Sequence, residues 1–275
     1  MPRLRRVLRR FIHDALALLL PFRCAACGRL PAPGSMNATP GEGEPAADTA
    51  SPEPLMRLLC PDCRSTVVPV SPPLCHDCGR PFSTSAGGNH RCGECVRDPL
   101  GFGKMRSAGV YAGAMVPLMR RFKYYRAVHL AAAMGQWMSA VYERDWQHES
   151  VALVVPVPLH RRRIRHRGYN QAWLLARKAF HRRSTDAVPL LRHDVLTRVR
   201  DTPPQAGLDS VRRRQNLAGA FHVAEPRAVA GKHVLVVDDV VTTGETMAAC
   251  GGALLAAGAH RIDALVAART LRRIQ

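Results

Sequence analysis

Hydrophobic positions along this chain fall into three textures. At the start, Leu4, Val7, Leu8, Phe11, Ile12, Ala15, Leu16 and Leu19 recur at helical spacing, with Arg3, Arg6, Arg9, Arg10 and Asp14 elsewhere. Residues 1–22 are therefore predicted to form an amphipathic helix. Its uninterrupted apolar stretch, Ala15 to Leu20, is far too short to span a bilayer, and no small-x-small cleavage site follows it. Packing on the rest of the protein and peripheral contact with acidic lipid are both open to such a helix.

The second texture, residues 31–54, is rich in Pro, Ala, Gly and acid and nearly free of large apolar side chains. It cannot offset its own ordering entropy and reads as a disordered insertion. The third begins near Gly101, where strand and helix signals alternate. Residues 114–141 and 168–182 are helical in pattern, and 151–157 is a short apolar strand stopped by prolines. Residues 190–199 hold another strand, and 201–220 a polar, basic loop. Val234–Val237 and Ile262–Ala268 are further apolar strands flanking a helix over 246–257. Continuous apolar strands alternating with helices predict an α/β fold with a parallel sheet covered on both faces.

Cysteine spacing adds a small domain in front. Cys24/Cys27, Cys60/Cys63, Cys75/Cys78 and Cys92/Cys95 are four pairs with two residues between partners. Four thiolates around zinc make a closed tetrahedral structural site, so two zinc ions are expected. Sequential pairing gives one site per half of residues 23–100, and the spacing also permits an interleaved pairing. Gly28 and Gly79 suit the turn of a zinc knuckle. His76 and His90 have no ligand role to fill, and Cys250 stands alone in an apolar helix. Thiols kept for metal rather than for disulfides point to the reducing cytoplasm.

Charge changes the picture of the partners. The net charge is +19, and 101–275 carries 28 basic against 12 acidic residues, while 1–100 carries 12 against 9. Such an imbalance calls for polyanionic company, whether nucleic acid, acidic lipid or a phosphorylated small molecule.

The segment with the clearest chemistry is Val234–Thr246, VLVVDDVVTTGET. A buried strand ends in Asp238 and Asp239, at the edge where open α/β sheets bind ligands. Val240, Val241, Thr242, Thr243, Gly244, Glu245 and Thr246 then lead into a helix whose first N–H groups and dipole favour an anion. Adjacent carboxylates repel a bare phosphate, but they suit a sugar diol held beside one. A Walker loop and a dinucleotide fingerprint are excluded by the missing G-x4-GK and the missing glycines.

These thirteen positions resemble the signature of type I phosphoribosyltransferases, which bind 5-phosphoribosyl 1-diphosphate (PRPP). The resemblance assigns Asp238 and Asp239 to the ribose hydroxyls and Thr242–Thr246 to the 5-phosphate, with Mg2+ accompanying the diphosphate. Purine-salvage members often carry aspartate where Thr242 stands, so nucleobase salvage is not implied. Residues 154–171 (VVPVPLHRRRIRHRGYNQ), Leu118–Lys123 and the stretch TPPQAGLDSVRRRQNLAGAF extend the likeness. With the cysteine knuckles, the chain resembles the ComF family, which joins a double zinc ribbon to a phosphoribosyltransferase-like domain, here 101–275. By position, Pro156–Arg163 would be the diphosphate loop, with Arg161 and Arg163 as ligands, and Arg200–Asn216 a closing hood. The resemblance implies a part in natural transformation on the cytoplasmic side, with single-stranded DNA and a competence-machinery protein as partners, although some relatives are linked to gluconate use. Tyr169 and Trp173 are the candidate base-stacking residues. Three readings follow: a DNA-uptake accessory retaining a PRPP site, an active phosphoribosyltransferase with an unidentified acceptor, or a zinc-dependent nucleic-acid binder with a dead domain. Oligomeric state is left open.

Overall fold

The computed structural model describes residues 23–30, 50–83, 87–181, 189–201, 217 and 219–271. The helix expected at 1–22, residues 31–49 of the expected insertion and residues 202–216 of the expected hood lie outside the described residues.

In the cysteine-rich region three short helices occur: α1 (Glu53–Met56), α2 (Pro61–Arg64) and α3 (Gly93–Arg97). Then follow β1 (Met105–Val110), α4 (Met115–Tyr124), α5 (Leu130–Trp146), β2 (Leu153–Pro156), α6 (Arg161–Arg167), α7 (Gln171–Phe180) and β3 (Leu190–Leu191). The chain continues through β4 (Leu196–Arg198), β5 (Phe221–Val223), α8 (Pro226–Val229), β6 (His233–Val241), α9 (Glu245–Ala256) and β7 (Arg261–Arg269). Strands β1-β7-β6-β2-β3 form one sheet with every pairing parallel, and β4 and β5 make a separate antiparallel pair.

The sheet is buried on both faces, as the unbroken apolar strands required. Period-two alternation splits its side chains between two cores. Val154, Leu235, Val237, Leu265 and Ala267 join α4, α5 and α7 on one face. Leu153, Val155, Val234, Val236, Ala264 and Val266 join α9 and the β4–β5 pair on the other. The two cysteine groups divide the same way: Cys24 and Cys60 belong to the first core, Cys75, Cys78, Cys92 and Cys95 to the second.

Backbone hydrogen bonds fasten the cysteine-rich region to the sheet. Val70 N donates to Ala108 O and Val110 N to Val68 O, both at 2.9 Å, adding an antiparallel rim to β1. Met105 N donates to Asp77 O at 2.7 Å, and Arg269, buried on β7, donates to the Cys78 carbonyl. Gly79 has φ +65°, and a Cβ there would strike the Met105 carbonyl, so glycine is needed for both reasons.

Three expectations need correcting. The single helix at 114–141 is two, α4 and α5, broken where Arg126 adopts φ 53°. Buried positions at four-residue spacing stand on both sides, Leu118 and Phe122 before the break and Leu130 and Met134 after it, so that spacing did not mark it. Arg161–Arg163 is not loop but the first turn of α6, because His160 Nδ1 caps it by accepting from Arg162 N at 3.4 Å. Residues 50–54 of the expected insertion are built into the fold: Glu53 and Pro54 lie in α1, and Trp137 Nε1 donates to Ala50 O at 3.0 Å.

At the opposite, N-terminal end of β6 and β7, Asp263 is fully buried and accepts from Trp146 Nε1 (2.7 Å), Lys104 N (2.9 Å) and His233 Nε2 (3.0 Å), beside Arg261. Burial works against its charge, but the His233 and Trp146 donors outweigh burial and bring the carboxyl down to about 2. A depressed carboxyl contributes stability that is complete above its unfolded value, near pH 4, and fades as pH falls through about 2. We expect the stability gap between the wild type and Asp263→Asn, from urea unfolding, to shrink by about 2 kcal/mol between pH 5 and pH 2.

Candidate functional site

Two metal centres come first. Cys24, Cys27, Cys60 and Cys63 gather in one group, and Cys75, Cys78, Cys92 and Cys95 in another, with the ligand atoms of each within 4.8 Å of one another. The pairing is sequential. Cys27 Sγ and Cys60 Sγ are 3.8 Å apart, as are Cys78 Sγ and Cys92 Sγ. That matches the roughly 3.8 Å edge of a tetrahedron with zinc–sulfur bonds of about 2.3 Å. Gly28, at φ 76°, follows Cys27 as Gly79 follows Cys78. Burial opposes charging Cys24, yet backbone N–H donors from Cys27, Cys60 and Ala26 bring it down to about 6. Cys75 is brought to about 7 against burial by the N–H groups of Cys92, Cys78 and Asp77. These amides stabilise thiolate, the form that zinc needs. His76 and His90 are exposed, and His90 stacks on Phe82 at 3.8 Å. Cys250 is fully buried, and burial pushes its thiol well up, so it stays neutral packing.

The second centre lies at the C-terminal end of β6. Successive strand residues face opposite ways, so Asp238 and Asp239 leave β6 toward different cores. Asp239 is buried, with Oδ1 2.9 Å from Lys123 Nζ at the end of α4. Asp238 is half-buried, with Arg198 of β4 among its charged neighbours. Each carboxylate takes a local amide: Asp239 N donates to Asp238 Oδ1 at 2.8 Å and Val240 N to Asp239 Oδ1 at 2.6 Å. Burial, then the adjacent Asp239 charge, push Asp238 up to about 7 against the pull of Lys123 and Arg198. Burial would discharge Lys123, but Asp239 outweighs it and holds the ammonium above its usual range.

Beyond the acids, Val241 is buried and tied down by Thr270 N, which donates to its carbonyl at 3.0 Å. Thr242 is exposed and Thr243 half-buried, and Gly244 turns the chain at φ 93°. Gly244, the N-cap of α9, has no side chain to cap the helix, whose first N–H groups are the kind that favour an anion. Glu245 is buried, while Val240 and Thr246 are half-buried.

The arginines separate. Arg161 is exposed on the first turn of α6. Arg163 is half-buried and approaches Asp201 at 3.9 Å, alongside His160 at 3.6 Å and Arg162 at 3.8 Å. Arg167 instead covers the Tyr124 ring at 5.1 Å, and its charge reaches both Lys123 and Tyr169. Tyr169 is anchored by its hydroxyl on the Phe122 carbonyl, and Arg126 lies within its field. Trp173 stacks on His193 at 4.7 Å. Sequence reasoning assigned no role to Lys123. The available signal was a lysine four residues after Met119, on the buried stripe of α4.

Comparison with known proteins bears on this arrangement. A double zinc ribbon domain matches residues 50–96, and a phosphoribosyl transferase domain matches 191–274. The DNA utilization protein YhgH of Escherichia coli is 31% identical over 223 residues, covering 78% of this chain and 91% of that protein. The chain belongs to the ComF family. Competence protein F of Haemophilus influenzae is 32% identical over 193 residues (69% of this chain, 80% of that protein). Competence protein ComFC of Bacillus subtilis is 26% identical over 206 residues (73% and 79%). This ComF chain thus joins a double zinc ribbon, with ligands for two structural zinc ions, to a phosphoribosyltransferase domain. The ribbon match starts at residue 50, so the insertion separates Cys24 and Cys27 from the rest of the ribbon in sequence but not in space. No helix among the described residues is long and apolar enough to cross a membrane.

Elemental analysis should return two zinc ions per chain, and Cys27→Ser or Cys78→Ser about one. Because each tetrad is part of a sheet core, chelation should lower the unfolding temperature of the whole chain. A melt in which only the ribbon responds would contradict that.

Proposed function

We propose that this ComF protein binds PRPP at Asp238, Asp239 and Thr242–Thr246, and that it handles single-stranded DNA in competence on the cytoplasmic side of the uptake machinery. One observation carries the first half: twin carboxylates end the central strand, and a left-handed glycine then opens an uncapped helix. The carboxylates suit the ribose 2- and 3-hydroxyls, and the amides of the turn suit the 5-phosphate.

Magnitudes say what else is needed. A helix N-terminus supplies about 0.3–1 kcal/mol toward an exposed charge. Two unit charges about 4 Å apart at an effective dielectric near 20 interact by about 4 kcal/mol. The turn alone would lose to two bare carboxylates. Lys123 offsets one of them by direct contact, and Arg198 adds positive potential at Asp238. The same ion pair fixes the Asp239 carboxylate for a diol. Asp238 and Asp239 are the residues fitted to hold the sugar directly or through Mg2+, which when bound offsets the diphosphate charge. Arg163 lies within the field of Arg198, which also reaches Asp238, and Lys123 is in direct contact with Asp239.

A second surface supports the nucleic-acid half. Tyr124 and Tyr125 are 58% and 70% exposed where α4 ends, next to Arg126 and under Arg167. Exposed rings among arginines fit stacked bases and their phosphates. Tyr124 and Tyr125 thus join Tyr169 and Trp173, both of which are partly committed to internal contacts. Relatives named as DNA utilization and competence proteins point the same way.

A charged Asp238 accepts from the diol through both oxygens and more strongly than the acid, and burial with the Asp239 charge pushes its carboxyl up to about 7. PRPP affinity with Mg2+, followed calorimetrically, should therefore rise about tenfold from pH 6 to pH 8 and level off above. Asp238→Asn should weaken binding and flatten that rise. No binding at millimolar PRPP would overturn the reading. For oligo-dT, the slope of log K against log salt should be near −0.7 per phosphate contacted. Tyr125→Ala should cost about tenfold at every salt concentration, whereas Arg167→Gln should also make the slope shallower.

A further inference from the structure

The second cysteine tetrad and the phosphate turn are neighbours. A cavity of about 960 Å³ is lined both by Cys78 and Cys95 and by Thr242, Thr243 and Gly244, with Arg269 and Thr270 on its wall as well. The way in which the tetrad is fastened to the sheet connects the two.

The loop from Cys75 to Cys78 faces two ways. The N–H groups of Asp77 and Cys78 point at the Cys75 sulfur. A trans peptide sets its carbonyl opposite its N–H, so the carbonyls of His76 and Asp77 point away from the sulfur and meet the sheet. His76 O accepts from Arg106 Nη1 at 3.1 Å, and Asp77 O accepts from Met105 N at 2.7 Å. Cys78 O, the next along the chain, accepts from Nη1 of the buried Arg269. Successive carbonyls of one metal knuckle are thus held by donors from β1 and β7. The first tetrad is built otherwise. There Cys24 O accepts from Gly28 N and Cys60 O from Arg64 N, both at 2.9 Å and both inside the ribbon.

Arg269 is the last residue of β7 and stands opposite Val241 of β6 in the parallel ladder. Thr270, directly after it, holds the turn twice. Its N–H donates to Val241 O at 3.0 Å and its hydroxyl to Thr242 O at 3.3 Å. A guanidinium does not shed its proton, and a buried one left without an acceptor is costly. Arg269 therefore follows the Cys78 carbonyl, and the end of β7 carries Thr270 and the turn with it. The hydrogen bond to the knuckle and those to the turn sit on adjacent residues.

We propose that Arg269 is a positioning residue that couples the second cysteine tetrad to the phosphate turn, so that metal on the tetrad and a phosphate ligand on the turn strengthen each other. The ligand half rests on the PRPP reading; the link from knuckle to turn belongs to the ligand-free fold. Zinc, when bound, supplies the tetrahedral clamp on the four thiolates. The carbonyls of the knuckle, Arg269 and Thr270 do the positioning. Coupling between two sites is reciprocal, so the ribbon makes capture of the ligand conditional on metal, and the ligand in turn retains the metal.

The test uses the zinc-loaded full chain and follows thiol labelling by iodoacetamide, mapped by mass spectrometry, with and without saturating PRPP and Mg2+. PRPP should slow labelling of Cys75, Cys78, Cys92 and Cys95 about fivefold or more, and leave Cys24, Cys27, Cys60 and Cys63 unchanged. Arg269→Met should abolish that protection and weaken PRPP about tenfold, whereas Arg269→Lys, which keeps a donor, should stay within about threefold of the wild type. Thr270→Val removes the hydroxyl pin and keeps the backbone bond. With zinc content unchanged, it should weaken PRPP binding and protection by about threefold each, and it reads the same link if Arg269→Met does not fold. Hydrogen exchange gives a readout without ligand: amides of residues 242–246 should exchange about tenfold faster in Arg269→Met, and about threefold faster in Thr270→Val, than in the wild type. Unchanged exchange in both variants, or PRPP binding that protects both tetrads alike or neither, would overturn this inference alone. Faster exchange together with no PRPP binding would leave the link standing and sink the ribose-phosphate reading.

Discussion

The contact between Lys123 and the buried Asp239 governs how this protein is arranged around its candidate site. A carboxylate taken out of water must find a cation or a proton, and losing the partner of a buried pair costs several kcal/mol. Asp239 is next to a second acid, so the demand is doubled. The break between α4 and α5 is what meets it. By ending α4 at Tyr124, the chain brings Lys123 to the C-terminal edge of the sheet, while α5 lies along β1, β7 and α7. Tyr169 then locks that end of α4 through the Phe122 carbonyl. Charge, backbone strain at Arg126 and helix placement are one solution to one electrostatic problem.

The zinc ribbons answer a different constraint. Little apolar material is available between residues 23 and 100, so metal must hold that region. Yet the tetrads are not a separate appendage. One is continuous with the core under α4, α5 and α7, and the other with the core under α9. The sheet is thus stapled from both sides, and the second staple also fixes the guanidinium of Arg269 on the last strand.

The positive charge of the chain likewise turns out to be organised. Some arginines are spent internally, such as Arg106 on Asp145 at 2.9 Å and Arg192 on Asp194 at 2.7 Å. Others, such as Arg167 at the end of α6, stand over the exposed tyrosines and near Lys123 at the end of α4. A polyanion would therefore meet this edge of the sheet first.

Much of this was legible in the sequence. Unbroken apolar runs require a sheet covered on both faces, and paired cysteines at two-residue spacing require metal. Asp-Asp before Thr-Thr-Gly places carboxylates and a glycine turn on one strand end, because these are properties of neighbours along the chain. Other features depend on residues far apart in sequence, which only folding brings together. The sequential pairing of the tetrads, Lys123 on Asp239, Arg167 near Lys123, and the cavity lined by Arg80, Glu245 and Arg269 are all of that kind. Helical spacing gave no warning of the break at Arg126, since apolar residues four apart continue on both sides of it. Local pattern specified the elements and their chemistry, whereas the partners of each buried charge were decided by tertiary packing, where desolvation makes an unpaired ion too costly to keep.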